Sequence, residues 1–349
     1  MSDAPIRFGL LGYGAFGKFH AQAMTAVDGV ELAAIAEVSD AGFTAAQADY
    51  PDGKVYRDYD ELLANESLDV VDIVLPNHLH FDAARSALEQ GNHLLLEKPM
   101  TLNVADCQSL LQLASANDLT IAVGHEFRLS SLWGKVKSLI DDGEVGDPKY
   151  VLVELSRHPY LQGSDGWRYD IERVGNWILE EPIHFFDLAR WYLSAAGEPQ
   201  SVYALASSRQ ADHPELQDNL SALIQHAGGA YAVVTQTLSA FEHHQTVKVT
   251  GSKGAIWASW GGTMGRSLDP EFQLKSFDGE NVREIPIEKT PGEPYELRTQ
   301  IEQMAHAARG DACNLATGDD GMWAVALCEA ADVSVKERRE VDLNVLVGS

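Results

Sequence analysis

The chain opens as an alternation of short apolar runs and segments whose apolar residues recur at helical spacing. Ile6–Leu11 is an apolar run ended by Gly12, and Phe16–Val27 follows with helical periodicity. Glu31–Glu37, Val70–Leu75, His93–Glu97 and Thr120–Val123 predict further strands. Ala41–Asp49, His80–Gln90 and Asn103–Asn117 predict helices, the last opened by an asparagine in the capping position. Strands alternating with helices imply right-handed crossovers and a parallel sheet covered on both faces. Residues 1–123 therefore predict an α/β, doubly wound domain.

From residue 124 to 349 the pattern changes to short runs rich in Val, Leu, Thr, Tyr or Trp, several alternating apolar with polar. Tyr150–Ser156, Ser201–Ser208, Asn219–His226, Ala230–Ser239, Thr246–Thr250, Gly254–Trp260 and Glu271–Phe277 read as half-buried strands. Ala227–Gly229 and Asp278-Gly279 mark turns between them, and Tyr295–Arg309 reads as a helix. His243-His244 reads as a solvated pair between strand and loop, with no partner spacing that demands a metal.

Composition narrows the partners. At 349 residues the chain is longer than one hydrophobic core usually supports, in keeping with two domains. Its 26 Lys+Arg stand against 52 Asp+Glu, a formal net charge of -26, which repels polyphosphate and argues against nucleic acid or anionic membrane as a partner. Cys107, Cys313 and Cys328 form no CxxC pair, so neither a disulfide framework nor a zinc ribbon is expected. Met1–Ile6 lacks a basic leader, and no apolar stretch reaches the roughly 18 residues of a membrane span. These features predict a reduced, cytoplasmic, globular protein in which any anionic ligand is captured by a local feature against the global field.

Such a feature lies between the first strand and the first helix. Gly12-Tyr13-Gly14-Ala15-Phe16-Gly17 is a GxGxxG turn: Gly12 permits the tight turn, Gly14 lets the backbone approach a pyrophosphate, and Gly17 lets helix pack on strand. The helix end then offers backbone N–H groups and a favourable dipole to phosphate. Glu37 ends the next strand where a carboxylate would accept from the adenosine ribose 2′-OH, and no Arg or Lys directly follows it, which favours NAD over NADP. A strand-end surface carboxylate is the plain alternative. Pro76-Asn77-His78-Leu79-His80 and Glu97-Lys98-Pro99 also lie at strand ends, where open α/β sheets bind ligands. Pro99 biases Lys98 toward extended backbone, from which it could reach over a nicotinamide to a substrate hydroxyl. A solvated lysine is the alternative there.

These residues together resemble the glucose–fructose oxidoreductase, inositol dehydrogenase and rhizopine-catabolism (Gfo/Idh/MocA) family. The matching stretches are GLLGYGAFGKFHAQAM at 9–24, VDIVLPNHLHFDAARSALEQGNHLLLEKPM at 71–100, VGHEFR at 123–128, WRYD at 167–170 and HFFDLARWYL at 184–193. QIEQMAHAARGD at 300–311 and GMWAVALCEAADVSVKERREVDL at 321–343 extend the likeness over nearly the whole chain. The resemblance implies an α+β second domain with a large, mostly antiparallel open sheet that carries the substrate face and joins copies into a homodimer or homotetramer. It implies that closing helices can pack back on the first domain.

It also implies a site. Lys98 would hold the reacting oxygen, and His184 would act as base, with Glu180 four residues before it where relatives usually carry Asp; Pro182 likewise replaces a usual Gly. A histidine's ordinary pKa suits base work near neutrality, while a buried structural histidine is the competing reading. The cofactor-facing set would be the glycine turn, Glu37, Pro76, Asn77, His80, Glu97, Lys98 and His125. The substrate-facing set would be Lys98, Glu126, Arg128, Trp167, Arg168, Glu180 and His184; the Trp167 face could pack on a sugar ring or belong to the core. The activity implied is NAD-dependent oxidation of a secondary hydroxyl on a cyclic polyol or sugar. Three rivals stand beside it: a glycosidase working through transient oxidation, a sensor binding nucleotide and a partner without turnover, and a metal hydrolase using His78 and His80. The last would need further His and Asp ligands from other strand ends, and the resemblance implies a loop that binds no metal, so none is expected.

Overall fold

A computed structural model describes residues 4–264 and 266–348, with the backbone alone for residues 293 and 294. The start of the Met1–Ile6 stretch lies outside the described residues. The chain divides into two compact units: the first runs through Glu126 and regains Glu296–Met322, and the second comprises Phe127–Tyr295 and the chain from Trp323 onward. The segment 296–322 thus belongs with the first unit, although the sequence division at 123/124 assigned it to the second.

In the first unit the order is β1 (Ile6–Leu11), α1 (Ala15–Thr25), β2 (Val30–Ala36), α2 (Asp40–Asp49), β3 (Lys54–Tyr56) and α3 (Tyr59–Asn65). It continues with β4 (Val70–Ile73), α4 (His80–Glu89), β5 (His93–Leu96), α5 (Val104–Ala116) and β6 (Ile121–Val123). The strands pair in parallel in the order β6-β5-β4-β1-β2-β3, and the two-residue strand Ala316–Thr317 closes the β6 edge antiparallel. β4 and β6 are buried throughout, as strands covered on both faces must be. Ser39, Asp58 and Asn103 cap α2, α3 and α5 through backbone N–H groups of the first turn. The sequence reading passes over β3 and α3, whose few apolar residues are too short a sample to show a period. Strand order reverses between β1 and β4, so the carboxyl ends of these two strands flank the crevice where such sheets hold ligands.

The second unit contains α6 (Trp133–Asp141), β7 (Pro148–Arg157), α7 (Ile171–Val174), α8 (Pro182–Tyr192), β8 (Pro199–Ser207), β9 (Asn219–His226) and β10 (Tyr231–Thr237). β11 (His243–Gly251), β12 (Ala255–Gly262), β13 (Glu271–Phe277) and β14 (Val282–Glu284) follow. With Val341–Asp342 they build a nine-stranded sheet, order β14-β13-β12-β11-β7-β10-β9-β8 and then the two-residue strand, antiparallel except between β7 and β10. Helices α9 (Glu293–Ala308), α10 (Gly318–Glu337) and α11 (Leu343–Val347) complete the chain. The period-two pattern is explicit in β9, where alternate residues are buried and exposed. α8 packs on β7 and β10, covering one face of the sheet. On the opposite face the register aligns Tyr203, Leu223, Val233, Leu152, Lys248, Trp257 and Lys275 in one row across seven strands. Among the described residues no helix is long and apolar enough to cross a membrane.

Candidate active site

In the first unit the glycine turn has the geometry its spacing predicts. Gly12 has φ +97°, and a Cβ there would lie 2.3 Å from Val74 O; a Cβ on Gly17 would lie 2.1 Å from Gly12 O. Only glycine fits either position. Gly14 differs: a Cβ there would meet nothing within 4 Å, so this position is open toward a ligand. Gly14 also serves as N-cap of α1 with no side-chain cap, so the positive end of the helix dipole lies at the open glycine.

Glu37 lies beside this turn. One carboxylate oxygen accepts the Tyr13 N–H at 2.7 Å and the other the Ser39 N–H at 2.8 Å. Gly42 in the first turn of α2 gives it room, since a Cβ there would come within 2.7 Å of Glu37 Cγ and Cδ. The sequence reading missed Gly42, whose role depends on a side chain five residues earlier. It also missed a cation: Arg57, from beyond β3, donates to Val38 O at 3.1 Å, pairs with Asp40 at 2.8 Å and lies over the Phe43 ring at 3.9 Å. These residues fit a dinucleotide: an open glycine, an uncapped helix end and a carboxylate at ribose distance from the turn in sequence order.

Other residues expected at the cofactor face inward. His80 has no solvent exposure, with Nδ1 2.6 Å from Pro99 O and Nε2 2.8 Å from Leu75 O; burial pushes its pKa down. The neutral ring donates to one of these carbonyls and lies against the other, so His80 sits between the ends of β4 and β5 rather than at a cofactor. It is no metal ligand in this arrangement, and among the described residues no group of three or more His, Cys, Asp or Glu is placed to hold a metal ion. Glu97 is likewise buried, with Oε1 3.4 Å from His20 Nε2. Asn77, His125 and Glu126 are buried, Pro76 is half-buried, and Lys98 is half-buried with a cis peptide bond to Pro99.

In the second unit Trp177, fully buried, anchors the segment that leads into α8. Its indole N–H donates to Arg168 O at 2.7 Å, and the rings of Tyr160 and Tyr169 meet it edge-on at 5.5 and 5.0 Å. Asn176 accepts the Leu179 N–H at 3.0 Å, and Pro182 takes the first position of α8, where it needs no hydrogen bond. His184 is thereby set in the first turn of α8, buried and stacked on Phe127 with ring centroids 4.7 Å apart.

The charged residues around it are paired. Arg168 Nε donates to Glu180 Oε2 at 2.8 Å, and its guanidinium lies 4.5 Å from the ring of Trp167, which is itself buried. Trp167 is therefore covered by an arginine on one face, and Glu180 is committed to an ion pair. Arg128 grips Asp187 with two hydrogen bonds of 2.8 and 2.6 Å. Both side chains are buried, so Arg128 fixes α8 instead of extending to a substrate. Next in sequence to Glu180, Glu181 is paired with Arg157 and has Oε1 2.8 Å from His243 Nε2. Burial alone would raise the Glu181 carboxyl, but His243 and Arg157 outweigh it and hold the group well below the usual carboxylate range. The solvated reading of the His243-His244 pair is thus corrected for His243, which is 2% exposed and starts β11 facing inward; His244 is exposed beside Glu242. The signal was available: alternation from Val247 and Val249 back to His243 gives it the buried parity.

Comparison with known proteins gives the family and the fold. Residues 6–125 match the model of an oxidoreductase family with an NAD-binding Rossmann fold, and residues 133–257 match the GFO/IDH/MocA C-terminal domain. The chain is 29% identical to inositol 2-dehydrogenase of Rhizobium meliloti, over 97% of this chain and 99% of that protein. It is 27% identical to D-xylose 1-dehydrogenase [NADP(+)] of Haloarcula marismortui, over 92% of this chain and 88% of that protein. The fold is shared with aldose-aldose oxidoreductase from Caulobacter crescentus, at a TM-score of 0.83 and 20% identity over 97% of this chain and 99% of that one.

Proposed function

The chain belongs to the Gfo/Idh/MocA oxidoreductase family, and on that premise we propose that it is an NAD-dependent dehydrogenase oxidising a secondary hydroxyl of a cyclic polyol or sugar in the cytoplasm. The observation that carries the cofactor choice is Glu37. Its carboxylate, fixed by the Tyr13 and Ser39 N–H groups beside the open Gly14, keeps lone pairs for ribose hydroxyls and would repel a 2′-phosphate. Arg57 is the nearby cation that could favour NADP, and its pairing with Asp40 supports NAD. The inositol dehydrogenase relative supports the polyol reading, and so does the pairing of Arg128, Arg157 and Arg168 with carboxylates, which disfavours an acidic substrate.

Bound at the glycine turn, the nicotinamide cofactor supplies the hydride acceptor. Lys98 holds and polarises the reacting oxygen by hydrogen bonding, and His184 accepts the hydroxyl proton. Glu180, four residues before His184 in the sequence and paired with Arg168, is a supporting carboxylate in this reading. Association of copies through the outward face of the nine-stranded sheet completes the proposal; exposed Leu223 and Trp257 in the cross-strand row support it. The test is a screen for NAD reduction over inositols, aldoses and sugar acids, with Lys98→Ala as the control variant. Turnover on a neutral polyol, lost in Lys98→Ala while NAD binding persists, is the expected result. Turnover that survives in the variant would sink the assignment.

A further inference from the structure

Helix α1 carries a second polar device behind its glycine turn. His20, one turn past Gly17 on the inward face of the helix, has no solvent exposure. Its Nδ1 lies 2.7 Å from Asp72 Oδ2 in β4, and its Nε2 lies 3.4 Å from Glu97 Oε1 at the end of β5. Asp72 is fully buried and Glu97 nearly so, while the Phe16 ring meets the imidazole edge-on with centroids 4.9 Å apart. Burial opposes charge on the imidazole, but the two carboxylates outweigh it and raise the His20 pKa to about 10. Burial raises Asp72 as well, whereas Glu97 is drawn down by His20 and Lys98 against its own burial. The arrangement is one cation clamped between two carboxylates.

The clamp ends on the backbone of Lys98. Glu97 Oε2 accepts the Lys98 N–H at 3.3 Å, and Gly124 of the neighbouring strand end leaves space for this carboxylate, since a Cβ there would lie 2.5 Å from Oε1. On the other side of Lys98, the Pro99 carbonyl is held by His80 at 2.6 Å. His20 thus bears on one flank of Lys98, and His80 on the other.

We propose that His20 is a positioning residue that ties the helix presenting the glycine turn to the Glu97-Lys98-Pro99 segment, so that cofactor binding and the aim of Lys98 depend on one charged clamp. The proposal rests on the reading of Lys98 as the residue that holds the reacting oxygen. Removing the imidazole leaves two buried carboxylates facing one another without a cation between them. Glu97 then turns or takes a proton, and the Lys98 backbone loses its anchor while Gly12, Gly14 and Gly17 keep their places.

The test uses the full chain carrying His20→Gln, and the same chain with Asp72→Asn added, which restores the charge balance of the cluster. Because a misplacement near 1 Å lowers turnover by about 100-fold, His20→Gln should lose roughly 10- to 100-fold in kcat with NADH affinity, measured by calorimetry, largely retained. The double variant should regain part of kcat. A second measurement needs no turnover: acetic anhydride labelling read by mass spectrometry, comparing Lys98 with exposed Lys253 in one sample. His20→Gln should change the Lys98 rate severalfold and leave Lys253 unaltered. Wild-type kcat in folded His20→Gln protein, or an unchanged Lys98 labelling rate, overturns the proposal. If the wild type oxidises no polyol, the dehydrogenase reading fails, and the labelling ratio alone still decides the clamp.

Discussion

Glu37→Ala is the substitution whose consequences can be worked most fully from the structure. It removes a carboxylate that accepts the Tyr13 N–H at 2.7 Å and the Ser39 N–H at 2.8 Å and keeps lone pairs for a ribose diol. A hydrogen bond to a charged group is worth about 1.5–3 kcal/mol, or roughly 10- to 100-fold in NAD affinity. The same change removes a repulsion against a 2′-phosphate: two unit charges about 4 Å apart in a partly solvated site interact by about 4 kcal/mol before salt screening. Arg57, already at Val38 O and Asp40, is then a cation placed to welcome that phosphate. NADP affinity should therefore rise while NAD affinity falls, and the ratio should move by more than the NAD loss alone. Glu37→Gln separates the contributions, because it keeps one acceptor for the turn and discards the charge. Calorimetric titration of both oxidised cofactors into the three proteins measures the ratios. If Glu37→Ala keeps the wild-type NAD to NADP ratio, the carboxylate does not read the ribose and the cofactor argument collapses.

Three further expectations follow from the same structure. Arg128→Met strands the buried Asp187 carboxylate and should lower unfolding free energy by about 3–5 kcal/mol, with most of it recovered by adding Asp187→Leu; urea titration of both proteins decides, and an undiminished single variant would contradict the buried pairing. The flanking carboxylates raise the His20 pKa to about 10 from an ordinary 6.5, so its stabilisation is complete below about 6.5 and declines as pH rises toward 10. The urea midpoint should fall between pH 7 and 10, and that slope should flatten in His20→Gln; equal slopes would refute the charge on His20. Leu223→Lys with Trp257→Glu alters the outward row of the nine-stranded sheet and should yield a smaller species by sedimentation, whereas an unchanged mass would remove this face from the assembly.

Local signals made the nucleotide side of the molecule legible. Gly12 and Gly17 meet backbone at the adjoining strand end or a few residues away, and Gly14 faces open space, so spacing alone carries their roles. Glu37 was legible because a strand of known length must end near it. The clamp of His20, Asp72 and Glu97 was not, because its members are far apart in sequence and each looks alone like an ordinary polar residue. For the same reason Arg128 read as a ligand-seeking cation: nothing in VGHEFR points to Asp187 in another element. His80 opens α4 at the end of a stretch that sequence associates with ligands, yet its two carbonyl neighbours, Leu75 and Pro99, are visible only when β4 and β5 lie side by side.

The two-residue strands that finish the sheets bear on the order in which the protein can be completed. Ala316–Thr317 closes the β6 edge of one sheet, and Val341–Asp342 closes the β8 edge of the other. Both arrive at the ribosome after every strand they cover. Until then each nascent unit displays an open edge able to pair with a neighbouring chain, and the first also lacks Glu296–Met322. Folding during synthesis can assemble the glycine turn early, but the β6 and β8 edges stay uncovered until Ala316–Thr317 and Val341–Asp342 have been made. A stalled or clipped chain ending before Ala316 would keep both edges bare, which makes the closing segment a safeguard against association during biogenesis as much as part of the finished fold.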